Sequence, residues 1–196
     1  MAGAARRITP ALSIEAFRAF VEGRPNEEHW ELIDGVPMMM APATLDHQRI
    51  ASNLERLLND ALETHDPSRA AYQRTGLNLG PDVPSYDPEP DVAVIDAAHA
   101  PGQRYVERFY LAAEIVSDSD SKTVAGKREV YKLHAHCMYV LTVRQDRCEL
   151  QVDRRTESGW LTTRLTASAD VLELPEFGLR CALGLLYKGT SLRTAN

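Results

Sequence analysis

The chain has 196 residues, 44% of them hydrophobic and 26% charged, with a formal net charge of −6. That length suffices to bury one sizeable core and is most economically a single domain, while the acidic balance counts against a strong non-specific grip on a nucleic-acid duplex. No apolar run approaches the ~20 residues of a membrane-spanning helix, no apolar stretch of the secretory kind follows Arg6-Arg7, and three scattered cysteines, Cys137, Cys148 and Cys181, fit a reducing, cytoplasmic setting.

A domain is expected over 13–190, with tails at 1–12 and 191–196. Ser13 caps a first helix to about Val21, with Ile14, Phe17 and Val21 on one face, and Gly23 and Pro25 stop it. The run from Trp30 to Met40 reads as a hairpin turning at Asp34-Gly35, with Met38, Met39 and Met40 as core filler rather than a metal box. Thr44 caps a longer helix to about Leu62, whose Ile50, Leu54, Leu57, Leu58 and Ala61 share one side. His47 falls on that side, and a satisfied core residue is favoured over a cap or a substrate contact. Ala70 to Leu79 is expected as one strand, followed by a loop of prolines and acids, 80–90.

The centre of the chain, Pro90 to Tyr139, reads strand, loop, strand, helix, strand. Pro90-Asp91-Val-Ala-Val-Ile95 is an apolar strand with an acid at its entrance, and Tyr110-Leu-Ala-Ala-Glu114-Ile-Val-Ser117 is another with a carboxylate at its middle. Both faces of the second strand are apolar, so Glu114 is expected to be buried, where a carboxylate needs a cation or a proton. Its bland reading is a structural salt bridge; that of Asp91 is a turn-closing hydrogen bond to backbone. Glu89 and Asp87 lie two and four residues before Asp91, close enough to bring further carboxylates along. Lys127 follows on a helix. At about 100° per residue, Val124 and Val130 lie roughly 60° to either side and Tyr131 nearly above, so this lysine occupies mid-stripe and is expected to be functional or ion-paired. Arg104, Arg108, Lys122, Arg128 and Lys132 surround the stretch as a local basic cluster. Two acids and an amine suit phosphodiester hydrolysis with a hard divalent cation, which prefers carboxylate and water oxygens. Beyond the centre, strands are expected at Cys137–Val143, Cys148–Val152, Trp160–Leu165 and Val171–Leu174, then a turn at Pro175–Gly178 and a terminal helix from Cys181 to Tyr187. The sum is an α+β or mixed α/β pattern.

With these residues in place, the chain resembles the Uma-two family of restriction-endonuclease-like proteins, within the PD-(D/E)XK nuclease superfamily. The landmarks are Glu31-Leu-Ile-Asp-Gly35, His47 opening its helix, Pro90-Asp91-Val-Ala-Val, Ala113-Glu114-Ile-Val-Ser117, Lys127-x-x-x-Tyr131, Tyr139 and a closing Leu183-Gly-Leu-Leu-Tyr187-Lys-Gly-Thr. The resemblance implies a central mixed β-sheet flanked by helices and a Mg²⁺- or Mn²⁺-dependent endonuclease acting on DNA. It implies Asp91 and Glu114 as metal-holding catalytic acids, Lys127 as the catalytic lysine, and Glu31, His47 and Tyr131 as accessory residues. The superfamily's usual lysine position, two residues after the second acid, is Val116 here, so the lysine comes from the helix. Three positions depart from the family pattern: Val140 and Val143 replace a tryptophan and an aspartate, and Asp118 replaces a proline.

Two other readings stand beside it. A homodimer would cut two strands most easily, but a nuclease fold without significant turnover, acting as a binding or regulatory module, suits the acidic charge. His134-Ala-His136-Cys137 is a compact donor trio without an evident fourth ligand, and packing is its favoured role.

Overall fold

The computed structural model describes residues 11–25, 27–80, 83–117 and 121–192. The two expected tails, Lys122's side chain and Asp118 therefore fall wholly or largely outside the described residues.

Helix α1 (Ile14–Glu22) starts at Ser13, whose side chain accepts the Ala16 N–H, and buries Phe17. Strands β1 (Trp30–Ile33) and β2 (Val36–Met39) form the expected hairpin. Asp34 and Gly35 both adopt positive φ, 52° and 75°, as a two-residue turn between twisted strands requires. Gly35 is also needed sterically, because a Cβ there would sit 2.4 Å from the Ala11 Cβ. Helix α2 (Leu45–His65) begins at the Thr44 cap and buries Ile50, Leu54, Leu58 and Leu62, one residue per turn.

Strands β3 (Arg69–Tyr72) and β4 (Gly76–Leu77) divide what the apolar pattern predicts as one strand. Arg74 is the cause: its φ of 52° ends the extended run, and β4 leaves the main sheet to pair with β6 (Tyr105–Val106). Strands β5 (Val92–Asp96) and β7 (Phe109–Val116) are both apolar on two faces. Helix α3 (Ser121–Leu133) crosses from β7 to β8 (Tyr139–Arg144), the connection a parallel pair requires. Strands β9 (Leu150–Thr156) and β10 (Gly159–Leu165) follow antiparallel. The main sheet is six-stranded, ordered β10-β9-β8-β7-β5-β3, with β7–β8 the parallel pair. It is therefore the mixed sheet expected. One face packs on α2 through Val92, Val94, Leu111, Ala113, Ile115 and Leu141; the other gathers Ala93, Ala112, Val140 and Tyr131 of α3.

The C-terminal end differs from expectation. Strands β11 (Val171–Leu174) and β12 (Leu179–Ala182) form a hairpin around Pro175–Phe177, and only a 3-10 turn, Leu183–Leu185, stands where the sequence predicts a terminal helix. The residues from Cys181 to Tyr187 are apolar enough for a helix, but the first of them complete a two-stranded ladder with Val171 and Leu172. The Asn53 side chain on α2 takes up the carbonyls of Leu186 and Lys188.

Candidate active site

The strand register sets the first element of the site. Val92 pairs with Ala113 across antiparallel β5 and β7, so Asp91, one residue earlier, stands opposite Glu114, one residue later. Directly opposed residues of an antiparallel pair project from the same face, here the face covered by α3. Lys127, mid-stripe on that helix with Val124 and Tyr131 buried beside it, is only 2% exposed. Its ammonium donates to Glu114 Oε1 at 2.8 Å and to both carboxylate oxygens of Glu31 at 2.9 and 3.1 Å. The structure brings the two acids and the amine to one cleft.

Each acid is oriented through one oxygen. Asp91 Oδ2 accepts the Ile115 N–H at 2.7 Å and lies 3.2 Å from His47 Nε2. Glu114 Oε1 accepts from Lys127 and from the Tyr131 hydroxyl at 2.6 Å. These contacts leave Asp91 Oδ1 and Glu114 Oε2 unengaged by them. Glu31 is spent differently: besides Lys127 it accepts the Glu89 N–H at 2.8 Å. That bond, with the Leu32–Asp87 bridge, docks the proline- and acid-rich loop onto β1. Asp87 then turns away to a bidentate pair with Arg18, while Glu89 enters the cleft.

The cleft has a volume of about 460 Å³, and Glu31, His47, Glu89, Asp91, Glu114 and Lys127 all line it. Tyr131 lies behind Glu114, fully buried. His47 is thus partnered with Asp91 at the cleft wall, not satisfied within the apolar core, because the first turn of α2 overhangs the end of β5. Met38, Met39 and Met40 are 37%, 60% and 42% exposed and line the same cleft. They are not core filler: the hairpin stands at the rim, where no second layer covers them. The basic cluster does not form as a free patch either. Arg128 and Lys132 pair with Asp153, and Arg108 with Asp96. Of the His-His-Cys trio, His134 stacks on Phe109 and bonds the Glu107 carbonyl and Cys137 is buried, while His136 is exposed. Sequence reasoning flags Glu89 without assigning it to the site, and passes over Arg74, which takes positive φ without being a glycine.

Electrostatics mark the cleft as short of positive charge. Burial raises the Glu114 carboxyl to about 7, helped by the charges of Asp91 and Glu31 and opposed by Lys127. Burial likewise raises Glu89 to about 7, with Glu31 and Asp87 adding to the shift. Burial disfavours the Lys127 ammonium, but Glu114 and Glu31 outweigh it and hold the lysine protonated far above neutrality. For His47, burial is outweighed by the hydrogen bond and charge of Asp91, so its pKa is raised. Lys127 thus serves two buried carboxylates, while beside them Asp91 has His47 and Glu89 has only the more distant charge of Arg74. Among the described residues, no group of three or more His, Cys, Asp or Glu side chains is arranged as a metal-holding cluster. Mg²⁺ does not need one: it usually takes one or two carboxylates and completes its shell with waters and phosphates. Two carboxylates with an oxygen each turned from their protein donors fit such an ion by donor chemistry and by charge.

A family profile described as "Uma2: Putative restriction endonuclease" matches residues 14–184. The chain belongs to this family. A crystal structure titled as a putative nuclease belonging to DUF820 from Anabaena variabilis ATCC 29413 is similar in fold, with a TM-score of 0.72 and 16% identity over 90% of this chain and 97% of that one. The architecture is restriction-endonuclease-like, a central mixed sheet flanked by helices. No curated protein matches the chain. Among the described residues, no helix is long and apolar enough to cross a membrane.

Proposed function

On the premise of Uma2 family membership, we propose that this protein is a Mg²⁺- or Mn²⁺-dependent endonuclease of the PD-(D/E)XK type that hydrolyses DNA phosphodiester bonds. The observation that carries the reading is the meeting of Asp91, Glu114 and Lys127 in one cleft, with a shortage of positive charge that a divalent cation would relieve. Asp91 and Glu114 would hold the ion through the oxygens facing away from their donors. When bound, such an ion stabilises charge on the phosphate and lowers the pKa of an attacking water.

The protein's own groups have separable roles. Ile115 and His47 fix Asp91, and Tyr131 fixes Glu114, so neither acid must reorganise when substrate arrives. Lys127 stays protonated, so it acts as a cation and hydrogen-bond donor beside the phosphate, not as a general base. Glu31 is a positioning residue: it occupies the ammonium's remaining protons and anchors the loop that delivers Asp91. His47, its pKa raised by Asp91, adds to the field at that acid when protonated. The occupied ammonium also favours a second reading, a binding or regulatory module with little turnover, because Lys127 must release one carboxylate oxygen before it reaches a substrate.

Incubating supercoiled DNA with the protein and Mg²⁺ or Mn²⁺ separates the two. Nicking that disappears in Asp91→Asn and Glu114→Gln supports the enzyme. Metal-dependent DNA binding without nicking supports the module, and calorimetric Mg²⁺ binding unchanged in both variants removes the two-acid assignment.

A further inference from the structure

A second cleft, of about 510 Å³, abuts the first, and His29, Arg74 and Glu89 lie on the walls of both. Its remaining lining is unlike that of the acidic site. Arg24, Arg74 and Arg104 face it, and none of the three pairs with a carboxylate among the described residues. Arg24 lies over the rings of Phe20 and Trp30 at 4.4 and 5.4 Å, and Arg74 bonds the His29 ring at 2.9 Å. Of the two carboxylates present, Glu28 is occupied by the Trp30 indole N–H at 2.7 Å and Glu89 belongs to the shared wall. On a chain of net charge −6, three arginines in one concavity are a local reversal of sign.

The cleft is also aromatic. Tyr72 and His99 stand edge to face with centroids 5.8 Å apart, Tyr72 half-buried and His99 exposed. Trp30 and Tyr105 complete the wall; Arg18 covers the Tyr105 ring at 3.9 Å, so Tyr105 is structural and Tyr72 with His99 offers the accessible rings. Arginines without carboxylate partners supply sites for phosphates and accessible rings supply stacking surfaces for bases, the combination that binds single strands without sequence preference. A paired duplex keeps its base faces stacked inside and has nothing to offer such rings. The volume lies within the ~300–1,000 Å³ of small-ligand sites, so it admits flanking nucleotides and not a double helix.

We infer that this cleft holds unpaired nucleotides of a DNA strand next to the scissile phosphate, and that the preferred substrate carries a single-stranded segment at the cut site. The inference rests on the endonuclease reading, yet its test does not need turnover. Fluorescence anisotropy without divalent metal compares a blunt duplex, the same duplex with a single-stranded tail, and the isolated strand. The tailed duplex is expected to bind about tenfold more tightly than the blunt one. Arg24→Ala/Arg104→Ala should abolish most of that gain and reduce the slope of log affinity against log salt by about 1.4, or about 0.7 for each phosphate that no longer meets an arginine. Tyr72→Leu should weaken the tail's contribution about tenfold, with blunt-duplex binding and Mg²⁺ affinity unchanged. No gain from the tail, or a gain that survives both variants, overturns the inference. Plasmid nicking with no tail preference sinks the cleft assignment alone; tail preference abolished in the variants, with no nicking of any DNA, keeps the cleft and sinks the hydrolytic reading.

Discussion

Lys127 and Arg128 are neighbours on α3, yet they serve buried carboxylates under opposite rules. Arg128 and Lys132 both pair with Asp153, which is fully buried on β9 and also accepts from Thr162 and Gln151. Arg128 is committed to that acid, and Lys132, which also holds Glu129 at 3.1 Å, adds its charge from 3.6 Å. Burial penalises the Asp153 charge, but the hydrogen bonds of Arg128 and Thr162 outweigh it, and its pKa falls below the ordinary 3.8. Around Lys127, one cation serves Glu31 and Glu114, and the Glu114 pKa rises. The first cluster is complete as it stands, which is how structural ion networks persist inside proteins. The second keeps an unmet demand for positive charge facing a cleft, the signature of a binding or reacting site.

The sharpest way to break this contrast is a pair of isosteric neutralisations. Glu114→Gln should lower metal-dependent nicking by about 10³-fold, the several kcal/mol that a Lewis-acid site supplies, and raise metal-free Tm at pH 8, because it removes a charge the protein cannot fully compensate. Asp153→Asn should do the reverse: lower stability by about 3 kcal/mol by leaving Arg128 without its buried acid, and preserve Mg²⁺ binding. Calorimetry and thermal melts read both. If both variants lose stability alike, the two clusters are the same kind of object.

Removing the shared cation comes next. Lys127→Met leaves Glu31 and Glu114 facing each other and should cost about 3–5 kcal/mol at pH 8. Much of that loss should return at pH 5, where the Glu114 carboxyl is protonated, as urea melts at the two pH values would show. Wild-type titration sharpens the point with the opposite linkage signs of the two clusters. Glu114 and Glu89 titrate near 7 when folded but near 4.5 when unfolded. The folded state therefore holds protons that the unfolded chain has released. Their contribution is present in full below about pH 4.5 and is lost as pH rises through about 7, at up to about 1.4 kcal/mol per pH unit for each proton. Asp153 behaves oppositely: its contribution stands above pH 3.8 and is lost only as pH falls below that. Mg²⁺ should cancel the first decline, and its affinity should climb up to pH 7 with proton release, measured calorimetrically in buffers of different ionisation enthalpy.

The sequence reveals the second cluster more clearly than the first, and for a physical reason. Glu114 and Lys127 each interrupt an apolar surface of known period, one in a strand buried on both faces and one at mid-stripe of a helix. Asp153 sits in Leu150-Gln-Val-Asp-Arg-Arg-Thr156, where alternation lets a polar residue pass for a solvated one. Its burial is made by β10, Arg128 and Lys132, which no local pattern encodes. The hairpin and α2 are legible because Asp34-Gly35, Thr44 and the one-per-turn aliphatics act locally. The break at Arg74 is not, since a non-glycine residue at positive φ leaves no compositional mark. His47 and Met38–Met40 mislead together: apolar neighbours assign both to the core, but the cleft, a tertiary feature, removes the layer that would have covered them. The partition of Asp87 to Arg18 and Glu89 to the cleft depends equally on where the loop docks.

The smallest expected effect isolates what Tyr131 does for Glu114. Its hydroxyl, on a fully buried ring, donates to the same oxygen that Lys127 holds. A hydrogen bond to the ionised carboxyl favours that form, so Tyr131→Phe should raise the Glu114 pKa further. A buried bond of about 1 kcal/mol corresponds to somewhat less than one pH unit. The pH midpoint for Mg²⁺ uptake should therefore move up by about that much, while affinity at pH 9, where the carboxyl is ionised in both proteins, stays within a few-fold. Thr162→Val removes the equivalent donor from Asp153 and should cost similar stability with no movement of the Mg²⁺ midpoint. A midpoint that moves equally in both variants would mean that metal uptake reports global stability, and the Glu114 carboxyl would then not be the group the ion displaces a proton from.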